Sequence, residues 1–120
     1  MAGHKDDCIF CKILNGTIPA KKLAESDDAI AIADISPQAT EHLLVFPKKH
    51  ITSLNDLSAA DRQHILPALF KLADEIAVER GFKTRGYRTV INNQTAAGQT
   101  VFHLHMHVLS AEKLKGSFGA

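Results

Sequence analysis

The chain has 120 residues, with 14 Lys or Arg against 13 Asp or Glu and a formal net charge of +1. That length argues for one domain, and 45% apolar with 22% charged residues is the make-up of a globular one. The near-even charge balance gives no electrostatic case for DNA, RNA or an anionic membrane as the main partner, and no apolar run approaches the roughly 20 residues that span a bilayer.

Residues 1–7, Met1 to Asp7, form a polar stretch with no apolar secretion signal, so a tail and a cytoplasmic setting are expected. In that setting Cys8 and Cys11 are thiols or metal ligands, not a structural disulfide. Ile9, Phe10, Ile13 and Leu14 fit a short helix stopped by Asn15-Gly16. Leu23–Ser26 and Ala29–Asp34 read as strands joined by a turn at Asp27-Asp28. A loop containing Pro37 leads to the strand His42–Pro47, whose proline sits where a missing N–H matters least. Ser58 is a predicted N-cap with Asp61 three residues on. Apolar residues from Ile65 to Ala77 recur at helical spacing, and Gly81 ends the long helix. Pro67 inside it removes one backbone bond and is expected to loosen or kink the first half. Two further strands follow, Tyr87–Asn92 and Phe102–Ser110, around a loop at 93–98. The element order predicts an α+β fold with a mostly antiparallel sheet.

The last strand carries the most distinctive stretch, His103-Leu104-His105-Met106-His107-Val108-Leu109. Alternation at period two places three imidazoles on one strand face and Leu104, Met106 and Val108 on the other. Three chemistries remain open on spacing alone. The histidines can be plain surface residues, they can bind one metal ion, or they can act on a phosphate as nucleophile and acid–base partners.

This stretch resembles the histidine triad signature, His-Φ-His-Φ-His-Φ-Φ with Φ apolar, at every position. The similarity extends to Cys8–Ile13, Ile18-Pro19-Ala20, Asp34–Ala39, Pro47–Ile51, Gly86-Tyr87-Arg88 and Gly98–Phe102, all of which resemble the Hint branch of the histidine triad (HIT) family. The resemblance covers residues 8–110, taken as a single domain, and leaves 111–120 as a C-terminal tail unlike the better-known ones. It implies a HIT-like fold: a five-stranded antiparallel sheet with one long and one short helix, dimerising into a continuous ten-stranded sheet. It also implies hydrolysis of the P–N bond of purine nucleoside 5′-phosphoramidates through a nucleotidyl-histidine intermediate. The alternatives are a nucleotide-binding scaffold with incidental catalysis, and a dinucleoside polyphosphate hydrolase.

By that resemblance His105 is the nucleophile. His107 contacts the phosphate and assists the leaving amine, while His42 and His103 support the cluster. A nucleophilic imidazole must be unprotonated at the attacking nitrogen, with its other N–H held by a partner. Asn92, Gly98, Gln99 and Thr100 would contact phosphate, since glycine admits close backbone approach and the other residues supply N–H or O–H donors. Before the glutamine the family often has Gly-Gly. Here it is Ala97-Gly98, and a positive φ at Ala97 would be strained. Asp34 would hold the ribose hydroxyls, and Ile9, Phe10, Ile13, Ile32 and Ile35 would line an apolar base pocket. Read without the resemblance, the apolar residues are ordinary core and the loop is a decorated turn. The pair Cys8-x-x-Cys11, with His50 and His103, would complete a tetrahedral structural zinc site. The other readings are packed, metal-free thiols and a redox pair, the latter disfavoured because no thioredoxin-like βαβ pattern surrounds it. The partners expected are an AMP-type purine nucleotide and a second copy of the chain, with no nucleic acid and no membrane. His4, His64 and Lys48-Lys49 read as solvated.

Overall fold

The computed structural model describes residues 7–116. The expected tail at 1–7, with His4, therefore falls outside the described residues except at Asp7, as does the end of the C-terminal tail. Helix α1 spans Ile9–Leu14, strand β1 Lys22–Glu25, β2 Ala29–Ala33 and β3 Glu41–Pro47. Helix α2 spans Ala59–Glu79, β4 Arg88–Val90 and β5 Met106–Ser110. The strands form one antiparallel sheet in the order β1-β2-β3-β5-β4. This is the predicted α+β fold. Among the described residues no helix is long and apolar enough to cross a membrane.

Local chemistry explains the helix ends. The Ser58 hydroxyl accepts the Asp61 N–H, and the Asp61 carboxylate accepts the Ser58 N–H, which closes a capping box. Lys49 adds an ion pair to Asp61 at 2.9 Å, so it is not simply solvated. Helix α2 runs unbroken through Pro67, which lies on the exposed side, where solvent can bond the Gln63 carbonyl that the proline leaves without an N–H partner. Gly81, at φ 78°, then turns the chain out of the helix. Helix α1 is capped by Cys8, whose sulfur accepts the Cys11 N–H.

Strand alternation sorts the sheet's two faces. Ala29, Ala31, Leu43, Val45, Met106 and Val108 join Leu104 under α2, packed against Ile65, Leu69, Leu72 and Ile76. Each of the larger side chains contributes roughly 1.5–3 kcal/mol by leaving water, and the alanines less, which makes α2 the main anchor of the fold. Ile30, Ile32 and Phe46 point the other way and pack against Phe10, Cys8 and Cys11 of the α1 segment. Cβ atoms alternate along β3, so this second face also takes His42, and it is the functional one.

Two elements are shorter than expected. Strand β4 covers three residues, and β5 starts at Met106, not Phe102. For β5 the cause is a tertiary contact: the Leu104 N–H bonds the Ile51 carbonyl in the segment after β3, so residues 103–105 leave the ladder. The C-terminal segment returns to the sheet, where the Arg88 guanidinium donates to the carbonyls of Lys115 and Gly116.

Candidate active site

Only His107 of the three alternating histidines lies in β5. Leu104, Met106 and Val108 are buried in the main core as expected, but the imidazoles do not converge on one point. Each meets different company.

His103 is fully buried. Its Nε2 lies 2.8 Å from the Pro47 carbonyl. A carbonyl only accepts, so Nε2 carries the proton and Nδ1 holds the lone pair. Nδ1 faces Cys8 Sγ at 3.3 Å, Cys11 Sγ at 3.6 Å and His50 Nδ1 at 3.2 Å, and Cys11 Sγ is 3.4 Å from His50 Nδ1. All four ligand-type atoms lie within 4.8 Å of one another. Tetrahedral zinc with two sulfur and two nitrogen ligands sets neighbouring donors about 3.3–3.8 Å apart, so the donor set and its spacing fit such an ion. The Pro47 carbonyl is the outer partner that orients His103.

His105 is buried, and its Nδ1 donates to its own chain's His103 carbonyl at 2.8 Å. Nε2 is then the unprotonated nitrogen. Burial pushes its pKa down, against a smaller opposing pull from the His103 carbonyl and Asp34. Phe10 stands edge-on to both His105 and His103 and stacks on Phe46 at 4.4 Å, which gives the two rings one shared wall.

His107 lies 5.2 Å from His105, ring centre to ring centre. Its Nδ1 is 2.9 Å from Nε2 of His42. The sheet register explains the meeting: Leu44 pairs with His107 and His42 with Leu109, so the two histidines are diagonal neighbours on one face. Burial lowers the His107 pKa to about 4, with the other two histidines adding to the effect. Asp34, just past β2, brings Oδ2 within 3.2 Å of His42 Nε2.

The loop before the triad differs from expectation in its details. Gln99 is buried, and its polar groups serve the loop itself. Its N–H bonds the Gln94 carbonyl, its Oε1 accepts the Gln94 N–H, and its amide donates to the carbonyls of Thr52 and Val101. Gln99 is thus a staple here, while Gly98 and Thr100 are exposed. The left-handed residues are Gln94 at φ 74° and Gly98 at φ 98°, not Ala97. Gln94 is held there by Gln99 and by a bond from its side chain to Ser53 Oγ. Asn93 ties the same loop to Leu54 and Asn55. Sequence reasoning singled out none of Ser53, Asn93 or Gln94. Polar residues around a turn were the available signal, and it does not say which of them bond each other.

Asn92 lines a cavity of about 370 Å³ with Gln38, His42, Arg88 and His107. Phe10 and Ile32 are buried in one cluster with Ile13 packed against it, and Ile13 and Ile32 open onto a cleft of about 430 Å³. Ile9 is 43% exposed and Ile35 95% exposed, so these two line only the outside of any base site. His64 is exposed on α2.

A HIT-domain profile matches residues 15–114. The chain belongs to the HIT-domain family. An uncharacterized HIT-like protein of Synechococcus elongatus is 44% identical over 109 residues, spanning 91% of this chain and 94% of the relative. Protein HitA of Neisseria gonorrhoeae is 41% identical over 104 residues, 87% and 95% of the two chains. Among solved structures, a histidine triad protein from Clostridium difficile superposes with TM-score 0.89 at 41% identity, covering 95% and 98%. A HIT family hydrolase from Legionella pneumophila gives TM-score 0.83 at 41% identity, covering 87% and 92%.

Proposed function

We propose that this HIT protein is a Hint-type nucleoside phosphoramidase acting on purine 5′-phosphoramidates of AMP type. The observation that carries the reading is the His105 tautomer: Nδ1–H is bonded to the His103 carbonyl, which leaves Nε2 as a free lone pair beside His107. Nε2 forms a bond to the α-phosphorus as the P–N bond to the amine breaks. The imidazolium that results keeps its Nδ1–H on the carbonyl. The amine departs with a proton, and a water then attacks phosphorus, releases His105 and returns that proton, so the cycle consumes one water and no net proton. His107 assists this transfer and contacts the phosphate, with His42 behind it. Asn92, Gly98 and Thr100 line the phosphate, Asp34 takes the ribose hydroxyls, and Phe10, Ile13 and Ile32 hold the base, with Ile9 and Ile35 at its rim. Two relatives of solved structure, from Legionella pneumophila and Clostridium thermocellum, are described as HIT family hydrolases, which supports a hydrolytic reading.

The same reading makes Cys8, Cys11, His50 and His103 a structural zinc site. When bound, zinc pins α1 to the triad segment; the chemistry at phosphorus belongs to the imidazoles. The thiolates it needs suit a cytoplasmic setting. The working domain is residues 8–110, and two copies join their sheets edge to edge.

Single-turnover incubation with radiolabelled adenosine 5′-phosphoramidate tests the proposal. Wild type should form a transient protein-bound label that His105→Asn lacks, with turnover reduced by about 10³-fold or more. AMP binding to folded wild type with neither adduct nor turnover would instead make this a binding module.

A further inference from the structure

Asp34, His42 and His107 bring three ligand-type atoms within 4.8 Å of one another. A divalent cation could use such a set. One backbone group decides otherwise. The Gln38 N–H donates to Nδ1 of His42 at 3.0 Å. A peptide N–H can only donate, so Nδ1 holds a lone pair and the ring proton sits on Nε2. A cation at this cluster would need the lone pair on Nε2.

The consequence passes one residue further. The His42 Nε2–H faces Nδ1 of His107 at 2.9 Å and Oδ2 of Asp34 at 3.2 Å. Two N–H groups cannot face each other at that distance, so Nδ1 of His107 accepts. The proton of His107 is then on Nε2, its only other nitrogen. We propose that the backbone amide of Gln38 is a positioning group: by holding the proton of His42 on Nε2, it sets the proton of His107 on Nε2, aimed at the phosphate and leaving group. Its catalytic consequence rests on the phosphoramidase reading, whereas the tautomer assignment does not.

The loop around Gln38 is built to aim that amide. Asp34 Oδ1 accepts the Ser36 N–H at 2.8 Å, and the Asp34 N–H bonds the His42 carbonyl at 3.0 Å. Pro37 then fixes its own φ directly before Gln38. Among the described residues, the ionisable groups around the pair are Asp34 and His105, with Arg88 and Lys115 from the walls of the cavity. The depressed pKa of His107 agrees with a ring that keeps one proton.

Long-range ¹⁵N–¹H correlation of the histidine rings in the full chain, at a pH where they are neutral, reads the tautomers without any substrate. Wild type should show His42 and His107 both protonated on Nε2. Gln38→Ala keeps the backbone amide and should match wild type. Gln38→Pro removes it, and the Nδ1-protonated form of His42 should rise from under about a tenth to about half, with kcat falling about 10-fold to 100-fold and KM nearly unchanged. A wild-type His42 protonated on Nδ1 overturns the proposal, whether or not the proline variant folds. So do unchanged tautomers in a folded Gln38→Pro. If the tautomers behave as stated but no phosphoramidate turns over in wild type, the substrate reading fails and the positioning assignment stands.

Discussion

Two histidine clusters sit on the same face of this sheet, and they are chemically opposite. At Cys8, Cys11, His50 and His103, the Pro47 carbonyl takes the proton-bearing side of His103 and turns its lone pair toward two sulfurs and another imidazole. At Asp34, His42 and His107, the Gln38 amide fills the lone-pair side of His42 and turns its proton inward. The first is a donor set whose spacing fits a cation. The second is a chain of directed protons. The first cluster joins two cysteines to its histidines and the second an aspartate, and the backbone completes the distinction by offering a carbonyl to the outer nitrogen of His103 and an N–H to that of His42.

The strongest way to break this contrast is to remove a donor from the first cluster. Cys11→Ser should lower bound zinc from one per chain to near zero and cost about 3–5 kcal/mol of stability, because metal affinity is folding free energy at such a site. Metal analysis with denaturant titration checks it. Wild type that binds no zinc and ignores chelators would make the cluster packed thiols. Next comes the proton chain. His42→Asn removes the Nε2–H behind His107 and should reduce phosphoramidate turnover about 10-fold to 100-fold while zinc content stays at wild type. Loss of zinc in that variant would show that the clusters are not independent.

A pH titration sharpens the comparison with a smaller effect. The His107 pKa is about 4 in the folded chain against 6.5 in the free side chain. The unfolded chain therefore binds the proton more tightly, and stability present above about pH 6.5 is lost as the pH falls toward 4. At this half-buried position the loss is on the order of 1–2 kcal/mol after solvent screening. Chemical denaturation at several pH values should show the slope, and His107→Asn should flatten it. The smallest effect belongs outside both clusters. Ser58→Ala removes the N-cap of α2 and should cost about 1 kcal/mol, read as a lower melting temperature with zinc content and histidine tautomers unchanged.

Much of the fold was legible because its signals are local. Ser58 with Asp61, Gly81, the Asn15-Gly16 stop and the alternation of β2 and β3 each act within a few residues, so the elements could be placed from the chain alone. The triad was legible as a motif but not as a geometry. Alternation placed the three imidazoles opposite Leu104, Met106 and Val108, but it did not show that the bond from Leu104 to Ile51 ends the strand early and sends His103 and His105 to different partners. Gln99 reads as a phosphate donor in sequence and is a staple in the structure, because its partners Thr52 and Gln94 are fixed only once two loops meet.

The sequence by itself determined the order of the elements, the inward and outward sides of the strands and the family resemblance. These depend on side-chain type and spacing. Only the tertiary structure decided which nitrogen of each histidine carries a proton. That depends on a carbonyl at Pro47, another at His103 and an amide at Gln38. Backbone groups are the same at nearly every residue, so nothing in their spelling marks the few that end up against a ring.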